Sequence, residues 1–411
     1  MVSTTNALTY LKTSSWRMRR TSVVGFMLMA PLALLIVLFL IVPLVRFVVL
    51  SVDNREIAQA LSQTAAALET WQGADVPGDA AFAAFNRDLV RETEKGSIAK
   101  LGARLNFFQG GMNSLIRKTI TRSSDLEPTR TAFEAVDKRW GDLKTWRAIK
   151  LATNPAIPEY YFNALDLRTA DPTAMVSVEV KPEAQRVYMR LWLRTILVAL
   201  LVVFVCTAIG YPIAYYLSNA RGLAFAVAMG MVLLPFWTPL LARIASWVIL
   251  LENGGVINSV LVALGLVDDA NRPQILHNLF ATVVVMSYVL LPYAVLPTYA
   301  VMKRVQPSLF KAALTLGATP LRAFLTVYLP QTLPGVLAGG ILIFVLSFGF
   351  YLTPELVGGP SGSLIGNLIA HNFSKSLNWG LAGALATMLL LVIAAAALVL
   401  RAVSPQPEQE S

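Results

Sequence analysis

Few side chains in this sequence are placed for covalent chemistry. Its two histidines, His277 and His371, lie far apart, and its one cysteine, Cys206, falls inside an apolar run. No metal-ligand or nucleophile–base spacing emerges from them, and a buried inert thiol is the ordinary reading of such a cysteine. The phosphate-loop pattern GxxxxGK[ST] does not occur, so nucleotide chemistry is expected elsewhere. What remains is recognition. Arg243 is the one ionisable residue that reads as internal to an apolar run, which makes it a functional candidate, although snorkelling toward the nearby end of the run competes. Glu252 and Glu355 are the nearest carboxylates, both at the edges of such runs. Trp237, Trp247 and Tyr288 offer ring faces to a cation, with packing or interface anchoring as the competing use.

A different kind of recognition is written in Lys311–Pro334, KAALTLGATPLRAFLTVYLPQTLP, a moderately polar stretch between two strongly apolar ones. It reads as two short helices joined by a turn. Ala312 and Ala313 open it, Gly317 and Thr319-Pro320 break it, and an amphipathic run with Phe324, Val327 and Leu329 follows. Pro330 and Pro334 are expected to stop that run before the next apolar span. With Ser308 as N-cap, residue 311 sits at N3, where a glutamate would close a capping box and suit the positive end of the helix. Lys311 does neither, so a frayed first turn or an acidic partner for Lys311 is expected.

The elements that must carry these residues follow from composition. The chain has 411 residues, 56% hydrophobic and only 14% charged, which is a membrane composition. Six apolar spans are expected near Val23–Leu50, Leu193–Leu217, Leu223–Leu250, Leu276–Met302, Leu333–Leu352 and Leu381–Val403. The first is too long for a signal-peptide core and reads as an uncleaved span. The resulting class is an all-α polytopic membrane protein: six transmembrane helices, with a large and mainly helical extracytoplasmic insert between the first and second. By segment this gives a cytoplasmic tail at 1–22, the first helix at 23–50, a periplasmic domain at 51–190, a five-helix core at 191–403 with a loop at 303–331, and a cytoplasmic tail at 404–411.

Charge supports that topology. The net charge is +10. The segments expected inside carry Lys12, Arg17, Arg19, Arg20, Arg221, Lys303, Arg304, Lys311, Arg322 and Arg401 against only Glu408 and Glu410. This is the positive-inside distribution of a bacterial inner (cytoplasmic) membrane protein with both termini cytoplasmic, not a nucleic-acid-binding face. The 51–190 block holds 19 Lys/Arg and 18 Asp/Glu, and a domain of that length translocates regardless of charge. Its stripes Ile57, Leu61, Ala65, Leu68 and Phe133, Val136, Trp140, Leu143 are helical. Asn154–Tyr161 and Asp171-Pro172 read as loops, and Met175–Val180 as a short strand. The 353–370 stretch, with LTPELVGG, is a candidate for a partly re-entrant gate in which irregular backbone lines a cavity.

The Lys311–Pro330 stretch resembles the EAA loop of membrane subunits from ATP-binding-cassette importers. Ala312, Ala313, Gly317, Ala318, Phe324, Leu329 and Pro330 fit its spacing, and Lys311 stands where that family has Glu. The resemblance extends to LLPFWTPLLARIASWVILLENGGVINSVL (Leu233–Leu261), VLLPYAVLPTYAVM (Val289–Met302), LTPELVGG (Leu352–Gly359) and Asn378-Trp379-Gly380, which look like the first, or B-type, permease of the spermidine/putrescine-type importers. It covers roughly residues 190–400.

The resemblance implies a type I importer. This chain would pair with a second homologous permease in the lipid bilayer, above two ATPase subunits that bind ATP and Mg, and beneath a periplasmic substrate-binding protein. It would hold no cofactor and do no catalysis itself. Lys311, Ala312, Ala313, Gly317, Ala318 and Pro330 would couple it to the ATPase, because in the family this loop docks in a groove of that subunit. The implied cargo is a polyamine or related small nitrogenous solute, although relatives also carry opines, amino-acid-like compounds and phosphonates. Trp237, Arg243, Trp247, Tyr288 and Glu355 are the pathway candidates. A competing class is a membrane receptor or sensor with a periplasmic domain, but only short inner segments are available for signalling. A secondary transporter would ordinarily show intramembrane carboxylates or an internal repeat, and neither stands out.

Overall fold

The computed structural model describes residues 27, 29–122, 127–169 and 178–403. The expected tails at 1–22 and 404–411 and the Asp171-Pro172 turn lie outside them. The regular structure of the described chain is helical apart from an isolated bridge between Asp53 and Ala156 and one antiparallel hairpin, β1 Leu167–Thr169 and β2 Val178–Val180, which pairs Leu167 with Val180. The second strand is the end of the strand expected at Met175–Val180.

Among the described residues, six helical stretches are long and apolar enough to cross a membrane: Met29–Leu50, Tyr188–Asn219, Leu240–Ala263 (interrupted between Leu251 and Val256), Leu279–Met302, Pro320–Gly349 and Trp379–Leu398. An apolar helix of 16 residues, Gly222–Trp237, precedes the third. At about 24 Å it is too short to cross a ~30 Å core by itself.

The expected third span, Leu223–Leu250, is therefore not one helix. It breaks at Thr238-Pro239, where Pro239 takes an extended ψ of 139° and leads into Leu240–Leu251. Ring contacts align both halves with the fourth span, running in the opposite direction. Phe225 meets Tyr299 at 6.0 Å, Phe236 meets Tyr293 at 5.2 Å, and Trp247 meets Tyr288 at 5.3 Å. Leu251 then joins Leu276 and Ala281 in one apolar cluster. The two halves thus act as one broken span. The chain turns sharply at Glu252–Gly255 before Val256–Ala263, and the Asn258 amide there donates to Pro273 O at 3.1 Å.

The fourth span, Leu279–Met302, is the most buried of the six and packs between the second and fifth. It carries Pro292 and Pro297 without interruption, because its neighbours close around the backbone groups those prolines release. The fifth span also departs from expectation. Pro330 and Pro334 do not end a helix: the helical chain runs continuously from Pro320 to Gly349. A π-turn at Phe324–Tyr328 widens the backbone just ahead of Pro330, where a proline ring would otherwise press on the preceding turn.

The insert between the first two spans has its own core. Trp140, Trp146, Phe82, Phe85 and Phe133 are fully buried, with Phe82 edge-on to Trp146 at 4.5 Å. Both indole nitrogens are satisfied: Trp140 Nε1 donates to Thr119 Oγ1 and Trp146 Nε1 to Trp140 O, each at 2.9 Å. Such rings supply large buried area together with a polar handle that needs a partner. Of the two predicted stripes, Ile57, Leu61 and Leu68 and then Phe133 and Trp140 enter this core, whereas Ala65, Val136 and Leu143 are only half-buried. The first stripe is split between Arg55–Ala60 and Ser62–Ala67, and the second among Arg130–Val136, a 3-10 turn and Leu143–Ala152.

Several ties bind the insert to the spans. Ser51 Oγ lies 2.6 Å from Tyr161 OH, and Trp192 Nε1 donates to Ala164 O at 3.1 Å. At the start of the sixth span a Cβ on residue 380 would fall 2.4 Å from Tyr160 Cε2, so only glycine admits the ring. Finally, buried Asp166 caps the second span by accepting backbone N–H bonds from Val187, Tyr188 and Met189 at 3.1, 3.2 and 2.7 Å. One carboxylate thereby satisfies three of the helix's unpaired donors and sits at its positive end.

The 353–370 stretch is helical rather than irregular. It comprises a π-turn at Pro354–Gly358, a short helix Gly359–Gly362 and the start of Ile365–Ser374. Val357 packs into the cluster formed by the third and fourth spans, and His277 N–H donates to Val357 O at 2.8 Å.

Candidate functional site

The elbow between the fourth and fifth spans is built by local rules. Gln306 is the N-cap and Pro307 occupies the first turn of the helix Pro307–Thr315. Ser308 is thus inside the helix, and Lys311 lies beyond N3. The start of this helix has no side-chain cap, but Pro307 suits it, since the pre-set φ of proline fits the first turn and its missing N–H loses nothing there. Lys311 is exposed and forms no ion pair among the described residues.

The helix ends in a Schellman motif. Gly317 N–H donates to Leu314 O at 3.0 Å and Ala318 N–H to Ala313 O at 3.1 Å. This closure needs a left-handed residue at 317, where φ is +88°. Thr319 then caps the next turn by accepting from Arg322 N–H at 3.3 Å. The first short helix and the turn are as predicted, while the second helix is the start of the fifth span rather than a short one. Ala312, Gly317 and Pro330 are exposed and Ala313 and Ala318 half-buried.

Two features of the elbow escaped sequence reasoning. An aromatic clamp holds it to the second span: Tyr215 meets Tyr328 at 5.6 Å and Tyr211 meets Phe324 at 6.2 Å, while Phe324 stacks on Tyr328 at 5.6 Å. Tyr211 OH also lies 3.0 Å from Thr332 Oγ1. On the outer face of the elbow, leucines stand free, with Leu316 89% and Leu321 69% exposed, alongside Leu309, Leu314 and Leu325. The aromatics are invisible to periodicity because they converge from two spans. The leucines could have been found as apolar residues flanking a glycine turn.

The five pathway candidates do not converge. Trp247 and Tyr288 meet edge-on at 5.3 Å, and Arg243 lies one turn before Trp247 with its Nε buried and without a hydrogen-bond acceptor. Tyr288 also lines an apolar cleft of about 490 Å³ between the second, third and fourth spans, where Pro212, Pro235 and Pro292 all appear. Trp237 stands apart at the break in the third span, 88% exposed. Glu355 lies in a separate cleft with Asn367, His371 and Lys375. Among the described residues no group of three or more His, Cys, Asp or Glu could hold a metal ion.

The profile of the family described as "Binding-protein-dependent transport system inner membrane component" matches residues 207–406, which begins within the second span and leaves the insert outside. The spermidine/putrescine transport system permease protein PotB of Escherichia coli (strain K12) is similar, 31% identical over 206 residues that cover 50% of this chain and 74% of PotB. PotB of Haemophilus influenzae is 33% identical over 190 residues, 46% of this chain and 66% of that protein. The inner membrane ABC transporter permease protein YdcU of Escherichia coli (strain K12) is 32% identical over 212 residues, 49% and 67% respectively.

Proposed function

The chain belongs to the family of binding-protein-dependent transport system inner membrane components, the permease subunits of ABC importers, and from that premise we propose that it carries polyamines and is driven through its 303–331 elbow by a separate ATPase. The observation that carries this reading is the elbow itself. It is a Schellman-closed turn, fixed at its base by aromatic rings and presenting uncovered leucines on its outer face. A soluble partner with an apolar groove would cover such a surface, since contiguous exposed apolar area marks an interaction site.

On this reading the elbow faces the cytoplasm, both termini share that side, and the 51–190 insert faces the periplasm, where it meets a substrate-binding protein. A second homologous permease completes the pathway against the exposed faces of the third span. Trp247, Tyr288 and Glu355 supply ring faces and a carboxylate for ammonium groups. Co-purification in mild detergent tests the coupling: an ATPase subunit is expected to accompany the wild-type chain. Uptake of radiolabelled putrescine and spermidine by a deletion strain complemented with the chain tests the cargo.

One observation favours a second cargo class through the same machinery. The buried, unpaired Nε of Arg243 would suit an anionic or zwitterionic solute such as an opine, an amino-acid-like compound or a phosphonate. Competition of unlabelled solutes of each class against uptake separates the two.

A further inference from the structure

At the end of the bundle that bears the insert, the loop between the fifth and sixth spans folds around a mainly apolar cleft of about 390 Å³. Glu355 is the only carboxylate among the described residues lining it, and Lys375 and His371 are its other ionisable groups besides Tyr351. Arg194 lies nearby, donating to Ser363 O at 3.4 Å.

The two oxygens of Glu355 are treated differently. Asn367, itself buried, holds one of them. Its Oδ1 accepts from Leu364 N–H at 3.1 Å, and its Nδ2 donates to Tyr351 O at 3.0 Å and to Glu355 Oε2 at 2.8 Å. The amide is fixed at three points, so the carboxylate it grips is oriented in advance. Among the described residues the other oxygen, Oε1, has only the Lys375 ammonium, at 3.9 Å, and the Glu355 side chain is 52% exposed. That distance is an ion pair without a hydrogen bond. Lys375 is the C-cap of the helix Ile365–Ser374, and its side chain is 68% exposed, so little packing holds it there.

We infer that Glu355 Oε1 is a subsite for a primary aliphatic ammonium group, and that Lys375 is the internal ammonium that stands in for the substrate when the cleft is empty. This rests on the polyamine reading above. A lysine side chain and the end of a polyamine are the same chemistry: a methylene stem, a compact charge and three donors. Exchange of one for the other leaves the carboxylate paired throughout, and the flexible lysine stem releases its head to solvent. Lys375 is thus a competitor that sets how readily the site fills and excludes solutes lacking a cation. Asn367 is a positioning residue.

The test is equilibrium binding of radiolabelled putrescine to the purified, assembled complex, with uptake measured in parallel in complemented cells. Glu355→Gln keeps the Asn367 bond through its amide oxygen but removes the charge, and putrescine binding weakens about tenfold. Lys375→Met keeps the stem and removes the competitor, and binding tightens about threefold. A structural ion pair would make both changes act in the same direction, so opposite signs carry the proposal. Equal affinity in all three versions, or weakening by both substitutions, overturns the subsite even where wild-type cells take up putrescine. Absence of wild-type uptake of putrescine and spermidine overturns the polyamine reading, and the subsite with it.

Discussion

Met189 donates its backbone N–H to Asp166 Oδ2 at 2.7 Å, joining a residue of the insert to the first turn of a membrane span 23 positions further along the chain. Asp166 holds this position at φ +57°, a left-handed conformation that aspartate and asparagine adopt more readily than most residues. Asp166→Asn keeps the backbone and loses the charge, whereas Asp166→Ala loses the cap altogether and should cost about 1–2 kcal/mol. Thermal unfolding of the detergent-solubilised chain should rank the three as wild type, Asn, Ala in falling stability. Equal midpoints would remove the cap from the account.

Gly317 separates folding from docking. Nothing lies within 4 Å of the place a Cβ would take, so a larger residue meets only backbone strain. Gly317→Ala should therefore cost about 1 kcal/mol and leave the chain membrane-inserted. Gly317→Trp carries the same strain plus bulk that only a docked partner would encounter. Loss of the co-purifying ATPase and of uptake in the Trp version, with both largely kept in Ala, is the expected pair of results.

The exposed leucines should behave in the opposite way to core residues. Leu316→Glu and Leu321→Glu place charge on side chains that the rest of the chain leaves uncovered, so the stability of the detergent-solubilised isolated chain should stay within the range of surface substitutions, about 0.5 kcal/mol. If these side chains enter a partner's groove, each should reduce ATPase recovery by about tenfold or more, as anchoring residues at interface centres do. Quantified co-purification from matched membrane fractions reads the difference.

The insert carries a pH dependence of known sign. The Arg139 guanidinium bonds Asp137 through Nε–Oδ1 at 3.0 Å and Nη2–Oδ2 at 2.9 Å, and Lys118 Nζ adds a bond at 3.0 Å. Arg139 first, then Lys118, holds this carboxyl well below its ordinary 3.8, against the opposing effect of burial. A depressed folded value means that the contribution is complete above the unfolded value and fades as pH falls toward the folded one. Asp137→Asn should lower the unfolding midpoint at pH 7, and its deficit relative to wild type should narrow as the pH is taken down through 3.8. A deficit that widened on acidification would contradict the assignment.

Span positions were legible because apolar length and positive charge are local signals, and the 303–331 elbow because turn chemistry is local too: Gly317 and Thr319-Pro320 sit where the helix ends. The failures have physical causes. Pro239 divides the third span because an extended residue there lets both halves follow the fourth. Pro330 was expected to end a helix, but the π-turn ahead of it absorbs the ring. Ser308 lost the cap to Gln306 because Pro307 is the better first helical residue. The clefts were not legible at all. Tyr288 faces Trp247 through packing between two spans, and Glu355 faces Asn367 and Lys375 through the folding of one loop between the fifth and sixth spans, neither of which helical spacing encodes.

The second span is a single helix of 32 residues, about 48 Å long. Near one end its tyrosines are clasped by the elbow, and at the other its first turn is tied to Asp166. A rod held in this way conveys tilt, not extension. A swing imposed at the rings must reappear at the capped turn, unless the helix yields at Pro212, close to the elbow. On the proposed topology, a push at the elbow would be delivered along this one helix to the insert, with no ligand needed to carry the message.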